Sequence, residues 1–152
     1  MSATPQTVSP HQTTEGCRFC WMCRQACPVG HVTARETYTP HGWALMIESV
    51  ARKQITWTRE AADVMFACAD CGLCQAHCAT DRPLPDAINA TRVELTSAGL
   101  APQAVYDLDR QLKAHGGAYA TGAVSAVSAK GAAALFVGDA AAHFGEAAVA
   151  AA

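Results

Sequence analysis

The chain has 152 residues, of which 51% are hydrophobic and 16% are charged, and its formal net charge is −2. This length allows one ordinary domain, or one domain and a fragment of another. The positive residues are scattered, which argues against a nucleic-acid binder, since such proteins carry a clustered basic surface. A membrane span needs roughly 18 consecutive apolar residues. No such run occurs, because Asp139, His143 and Glu146 interrupt the alanine-rich tail, and we expect no direct membrane insertion.

All eight cysteines lie in two copies of the motif C-x2-C-x2-C-x3-C, and the first copy is followed by Pro28. Three thiolates at such short intervals can surround one face of an iron–sulfur cube, whereas the fourth cysteine in two-cluster ferredoxins ligates the other cluster. The motifs therefore predict two [4Fe–4S] clusters that are bound crosswise. The predicted ligands are Cys17, Cys20, Cys23 and Cys78 for cluster 1, and Cys68, Cys71, Cys74 and Cys27 for cluster 2.

Other uses of these cysteines fit the spacing less well. A structural zinc site does not need a third cysteine at the same short interval. Residues 1–16 have neither a basic start nor an apolar run, so we expect no secretory signal, no disulfide framework and a reducing compartment such as the cytoplasm. Covalent haem requires C-x2-C-H, and no C-x2-C pair in this chain is followed by histidine.

The segment between the two motifs has a helical pattern. Residues 1–15 come first and are rich in Ser, Thr, Pro and Gln, which predicts a flexible amino-terminal arm. Thr39 and Pro40 are a suitable N-cap and first position for a helix over about 41–53, in which apolar residues recur at steps of three and four. After a break at 54–57, Thr58 can cap a second helix that leads through Phe66 into the second motif.

Two more helices are predicted after the second motif. Pro85 suits the first turn of a helix that runs to about Ser97, and Pro102 starts another that ends before Gly116. The first presents one apolar side, formed by Leu84, Ile88, Thr91 and Leu95. The second has a stripe that includes Val105, Leu108 and Leu112. We expect both stripes to pack into the core, because so small a domain has little other interior.

The carboxyl-terminal part differs in composition. Residues 116–131 are rich in Gly, Ala and Ser and are predicted to be a linker. Residues 132–152 begin with the strand-like run Ala133–Val137 and continue into an alanine-rich helix. A lone strand and helix cannot form a domain, so this segment is either the start of a truncated α/β domain or a segment that docks on a partner.

Two such motifs separated by about 40 helical residues resemble the α-helical ferredoxin domain of the iron–sulfur subunits of heterodisulfide reductase, anaerobic glycerol-3-phosphate dehydrogenase and glycolate oxidase. The resemblance implies a mainly α fold over residues 16–115, with two cluster-binding loops between helix ends. The stretch Ala134–Asp139 is similar to the first strand of the CCG-type α/β domain that follows in many of these proteins, although no cysteine lies beyond Cys78.

The motifs and the resemblance both indicate an electron-transfer subunit. A [4Fe–4S] cluster with four thiolate ligands has no open coordination site, so it passes electrons and does not bind substrate. No catalytic residue is predicted. The resemblance implies a flavoprotein dehydrogenase subunit or an electron-transferring flavoprotein as donor, and a quinone-reactive membrane subunit as one possible acceptor. Any contact with the inner membrane is then peripheral and made through a partner.

Two alternatives stay open at this point. The chain can be the amino-terminal part of a catalytic subunit similar to heterodisulfide reductase, whose active cluster lies in other sequence. It can also be a metal-stabilised interaction module without a redox role. The role of His77, next to the ligand Cys78, is equally open: it can donate a hydrogen bond to cluster sulfur or be a surface imidazole.

Overall fold

The computed structural model describes residues 9–119, and this part of the chain is helical, with no β-strand. The mainly α fold class predicted from the sequence is therefore confirmed. Within the same range, no helix is long and apolar enough to cross a lipid bilayer. The elements are α1 (Pro10–Glu15), α2 (Pro28–Thr33), a 3₁₀ helix (Glu36–Tyr38), α3 (Pro40–Ala51), α4 (Arg59–Phe66), α5 (Leu73–Ala76), α6 (Leu84–Ser97) and α7 (Gln103–His115).

The starts of α3 and α4 follow the predicted capping residues. The Thr39 hydroxyl accepts a hydrogen bond from the Gly42 amide at 3.3 Å, and Pro40 occupies the first helical position. The Thr58 hydroxyl accepts from the Ala61 amide at 3.2 Å. Each cap satisfies an amide that has no partner within its helix. The amino-terminal ends of α3 and α4 are thus defined by local sequence.

The core is formed by one side of α3, α4 and α6. Trp43 and Met65 are fully buried, and the Trp43 indole N–H donates to the Val64 carbonyl at 3.0 Å, which joins α3 to α4. Helix α6 packs against α1, α3, α4 and α5. Its predicted apolar side is buried as expected and consists of Leu84, Ile88, Thr91 and Leu95. A central α6 therefore supports the elements around both cysteine loops.

Helix α1 corrects the predicted boundary of the folded domain. The composition predicts a flexible arm over residues 1–15, but Pro10–Glu15 is a helix that packs against α3 and α6. Thr14 is buried, and its hydroxyl donates to a carboxylate oxygen of Glu48 at 3.1 Å. The contact joins residues 34 positions apart, so local composition could not show it. The remainder of the proposed arm, residues 1–8, lies outside the described residues.

The chain divides into two compact units at the Pro102–Gln103 bond. The second unit therefore begins with α7, whereas the sequence predicts that α7 belongs to the ferredoxin domain and that the boundary follows residue 115. None of the residues in α7 is buried, and Leu108 and Leu112 are 43% and 46% exposed. These two leucines of the predicted stripe are therefore not buried. The predicted linker beyond residue 119 and the segment 132–152 lie outside the described residues.

Candidate metal centre

Cavity 1 lies where the first cysteine loop meets the segment after the second. Its empty volume is about 590 Å³, counting space open to solvent. It is bounded on other sides by the apolar residues Phe19 and Leu84. The cysteines in its wall include the four predicted to bind cluster 1, which are Cys17, Cys20, Cys23 and Cys78. The fold therefore brings residues of both motifs to one cavity.

Cavity 2 is smaller, with an empty volume of about 300 Å³. Val29 of α2 and Trp43 of α3 contribute apolar side chains to its wall. Its cysteines are the four predicted to bind cluster 2, which are Cys27, Cys68, Cys71 and Cys74. The two predicted sets of four thiols thus surround two separate cavities, each with the last cysteine of the other motif.

The two cavities are neighbours. Cys74 and Pro40 line both of them. Cys27 and Cys74 are buried, at 5% and 8% exposure, whereas the second cysteine of each motif, Cys20 or Cys71, is exposed. Both buried cysteines therefore belong to the set predicted for cluster 2, and each set has one cysteine that reaches the surface.

The two loops have matching backbone conformations. Phe19 and Asp70 hold the same motif position, and both have positive φ angles, 50° and 53°. Trp21 and Gly72 also correspond, with φ of 67° and 75°. The Phe19 amide donates to Cys17 Sγ at 3.4 Å, and the Asp70 amide donates to Cys68 Sγ at the same distance. Left-handed backbone is unfavourable for residues other than glycine. Its occurrence at matched positions in both loops indicates that the motif requires it.

The fourth cysteine of each motif also accepts hydrogen bonds at sulfur. The Gly30 amide donates to Cys27 Sγ at 3.4 Å, where Cys27 is the N-cap of α2. Cys78 Sγ is hydrogen-bonded to the Thr80 hydroxyl at 3.4 Å and to the backbone amides of Thr80 and Arg82. The second motif lacks the proline that follows the first, and these contacts hold Cys78 in its place. Such donors stabilise thiolate sulfur.

The pKa values of several thiols show what the fold demands of a ligand. Burial, together with neighbouring thiols, raises the pKa of Cys23 to about 11 and that of Cys74 to about 12. Burial also raises the pKa of Cys17 and Cys68. At Cys78 burial is outweighed by the hydrogen bonds from Thr80 and the Arg82 backbone, so its pKa is lowered. Metal binding requires thiolates. A positively charged group in each cavity is needed to deprotonate the buried thiols.

Two observations test whether an iron–sulfur cluster fits cavity 1. Among the described residues, one buried side-chain polar atom lacks a hydrogen-bond partner, Nε of Arg82, and Arg82 lines this cavity. Sulfides and thiolates of a cluster are acceptors that such a donor can use. Within residues 9–119, no three His, Cys, Asp or Glu side chains can share a single metal ion. In an iron–sulfur cube each thiolate binds a different iron. Four thiols that surround a cavity without sharing a single metal ion are therefore compatible with a cube.

A polar network fixes the exposed part of the first loop. The Trp21 indole N–H donates to His41 Nε2 at 3.0 Å, and His41 Nδ1 donates to a Glu36 carboxylate oxygen at 3.1 Å. Arg24 forms an ion pair with the other oxygen of Glu36 at 2.5 Å. Trp21 remains 55% exposed. The 3₁₀ helix and α3 therefore hold the indole over the loop without burying it.

The structure also decides the role of His77 and shows residues that sequence reasoning missed. His77 is exposed, lines neither cavity and donates through Nδ1 to the Leu73 carbonyl at 3.0 Å, so it is a surface imidazole. Arg92 of α6 donates to the Cys68 carbonyl at 2.5 Å and to the Met65 carbonyl at 3.0 Å. Arg82 and Arg92 lie outside the cysteine motifs, and no spacing rule marks either of them.

Comparison with known proteins supports an iron–sulfur cofactor. Residues 13–81 match the family described as a 4Fe-4S dicluster domain, and this range contains all eight cysteines. No curated protein and no solved structure matched the chain. The matched range begins within α1, which agrees with the folded position of that helix. A ferredoxin-like 4Fe-4S dicluster domain is therefore present in residues 13–81 of this chain.

Proposed function

We propose that this protein is an electron-transfer subunit that holds two [4Fe–4S] clusters and relays single electrons between two redox partners. The observation that carries the proposal is the pair of neighbouring cavities, each lined by three cysteines of one motif and the last cysteine of the other, with Cys74 also in the wall of cavity 1. The presence of a 4Fe-4S dicluster domain supports the cofactor class. The proposed crosswise ligand sets are those predicted from the sequence.

The chain contributes ligation, insulation and a path to the surface. When bound, a [4Fe–4S] cluster supplies reversible one-electron transfer and, with four thiolate ligands, offers no open site to a substrate. Cys74 lies in the wall of both cavities, which keeps the two sites adjacent. Cys20 and Cys71 are exposed, one at each cavity. These two cysteines mark the points where an electron donor and an electron acceptor can approach the relay.

The proposed partners follow from the chemistry of a one-electron relay. A flavin delivers two electrons, and two adjacent clusters can take them one at a time. We therefore propose a flavin-containing dehydrogenase or an electron-transferring flavoprotein as the donor, as in the heterodisulfide reductase and glycolate oxidase iron–sulfur subunits that the sequence resembles. The proposed acceptor is a downstream redox protein or a quinone-reactive membrane subunit, through which the chain can associate with a membrane.

The direct test is the metal and sulfide content of protein purified without oxygen, with electron paramagnetic resonance of the dithionite-reduced form. We expect about eight irons and eight sulfides per chain, as two cubes require. The reduced spectrum is expected to be broadened by two interacting spins, because the cavities are neighbours. Oxidised protein should also accept electrons from a reduced flavoprotein without loss of iron.

Two results would contradict the proposal. One is protein with about two zinc ions per chain and no reduced-state signal, which would indicate a structural module. The other is about four irons per chain in all preparations, with a single non-interacting spin, which would rule out a two-cluster relay.

A further inference from the structure

Arg82 is held against cavity 1 in an unusual way. Its side chain lines the cavity, and its Nε is buried without a hydrogen-bond partner. A Cβ atom added to Gly16 would overlap the Arg82 guanidinium, so the side chain packs directly over the glycine that precedes Cys17. A buried donor without a partner costs free energy. The fold therefore keeps this side chain in place for a group that the protein's own residues do not supply.

Arg82 shares cavity 1 with two thiols that come from different motifs, Cys17 and Cys78. The Arg82 backbone amide donates to Cys78 sulfur as well. Arg82 thus lies close to two of the four predicted ligands of cluster 1, and its unused N–H belongs to a residue already in contact with this ligand set.

The second cavity has an arginine nearby with different bonding. Arg92 donates Nε–H to the Met65 carbonyl at 3.0 Å, and its other donors reach the Cys68 carbonyl and the Asn89 side chain. It does not line cavity 2. Arg92 therefore supports the backbone around Cys68 and has its Nε–H satisfied, whereas the Nε–H of Arg82 remains available.

We propose that Arg82 donates its Nε–H to sulfur of the group bound in cavity 1 and thereby raises the reduction potential of cluster 1. This inference rests on the proposed function, since it assumes a cluster in that cavity. Reduction adds one negative charge to a cluster, and a hydrogen bond or a positive charge at its sulfurs stabilises the reduced form. Arg82 is then a positioning and tuning residue and not a ligand.

The first experiment is a redox titration of oxygen-free holoprotein, followed by electron paramagnetic resonance, for the wild type and Arg82→Gln. We expect two one-electron steps in the wild type. In Arg82→Gln one step should move to lower potential, with the equilibrium constant for reduction falling about tenfold, or about 59 mV for one electron. The matched control is Arg92→Gln, which should leave that particular step unchanged.

Two further variants separate the hydrogen bond from the charge. Arg82→Lys keeps the positive charge without the Nε–H donor of arginine, so it should recover only part of the lost potential. Gly16→Ala keeps Arg82 but displaces its guanidinium, and Gly16 has φ of −84°, which alanine can adopt. The reduction potential of cluster 1 in Gly16→Ala should therefore also be lower than in the wild type.

The possible results divide clearly. The proposal is overturned if fully loaded Arg82→Gln has both wild-type potentials, if both steps move equally, or if Arg82→Lys behaves as wild type. Loss of four irons in both Arg82 variants also overturns it, since Arg82 would then be needed to retain the cluster. If the wild type itself contains no reducible cluster, the proposed function fails first, and that result is visible before any variant is made.

Discussion

The two cysteine loops have the same backbone but different side chains and different supports. In residues 17–27 the positions between the cysteines include Arg18, Phe19 and Trp21, and in residues 68–78 the matching positions are Ala69, Asp70 and Gly72. The positive φ angles and the amide-to-sulfur hydrogen bonds recur at the same places in both. Backbone geometry is therefore what the motif requires, and the side chains are free to give each cavity its own surroundings.

The supports of the loops differ in the same way. The first loop follows α1, which is tied to α3 because buried Glu48 accepts hydrogen bonds from His11 and Thr14, both at 3.1 Å. Arg52 Nε also donates to a Glu48 carboxylate oxygen at 2.6 Å, and this hydrogen bond is the main reason that the pKa of Glu48 is lowered. The second loop is supported by Arg92, which binds backbone carbonyls on its amino-terminal side. One loop thus depends on a buried carboxylate and the other on a guanidinium.

The largest effect is expected when the fourth cysteine of either motif is replaced by alanine. Cys78→Ala should abolish cluster 1, and Cys27→Ala should abolish cluster 2, because each supplies a ligand to the cavity of the other motif. We expect each variant to retain about four of eight irons. The measurement is iron content together with the electron paramagnetic resonance spectrum of the remaining cluster.

The matched controls are Cys20→Ala and Cys71→Ala, which remove a ligand from within each motif. The spectrum of Cys78→Ala should match that of Cys20→Ala, and the spectrum of Cys27→Ala should match that of Cys71→Ala. The opposite pairing would mean that each motif binds its own cluster, and crosswise ligation would have to be abandoned.

A smaller effect is expected from Glu48→Gln, which tests the support of the first loop. The amide cannot accept all three hydrogen bonds, and bonds to a charged group contribute about 1.5–3 kcal/mol. The rate of cluster loss in urea, followed by visible absorbance, should rise about tenfold or more, with cluster 1 lost first. Glu94→Gln, at an exposed position of α6, serves as the control and should resemble the wild type. If both clusters are lost at equal rates, Glu48 does not act specifically on the first loop.

The smallest effect is expected at the left-handed position that the loops share. Gly72→Ala introduces a side chain where φ is 75°, which costs about 1–2 kcal/mol, so cluster 2 should be lost several-fold faster in urea. Trp21→Gly relieves similar strain at 67° but loses the hydrogen bond to His41, so its rate should change less. The same urea assay measures both variants. If Gly72→Ala loses cluster 2 at the wild-type rate, the left-handed conformation at this position is not required in the holoprotein.

The elements predicted correctly are those with strong local signals. Thr39, Thr58 and Pro40 mark helix starts through side-chain capping and fixed backbone geometry, and the apolar side of α6 follows from helical periodicity. Helix α1 begins with Pro10, but it was missed because its six residues have no side-chain cap and are too few for helical periodicity. Its position depends on the contact between Thr14 and Glu48, which are far apart in sequence.

The stripe of α7 illustrates the limit of periodicity. Leu108 and Leu112 are spaced as on a buried helix face, yet both are more than two-fifths exposed. Periodicity shows which side of a helix is apolar, whereas burial depends on what packs against that side. The crosswise assignment of the cysteines stays a prediction, and the two cavities support it.

The residues alone predicted the cofactor class and the segments proposed to bind the clusters, because thiolate ligands at intervals of two and three residues are a local requirement of the iron–sulfur cube. The capped helices between the motifs are local in the same sense. Folding decided which thiols share a cavity, which cysteines stay exposed, and where Arg82 places a buried donor without a partner. The thiols that share a cavity include the sets that the motif spacing predicted, whereas the exposure of the cysteines and the position of Arg82 depend on contacts between distant residues, about which spacing carries no information.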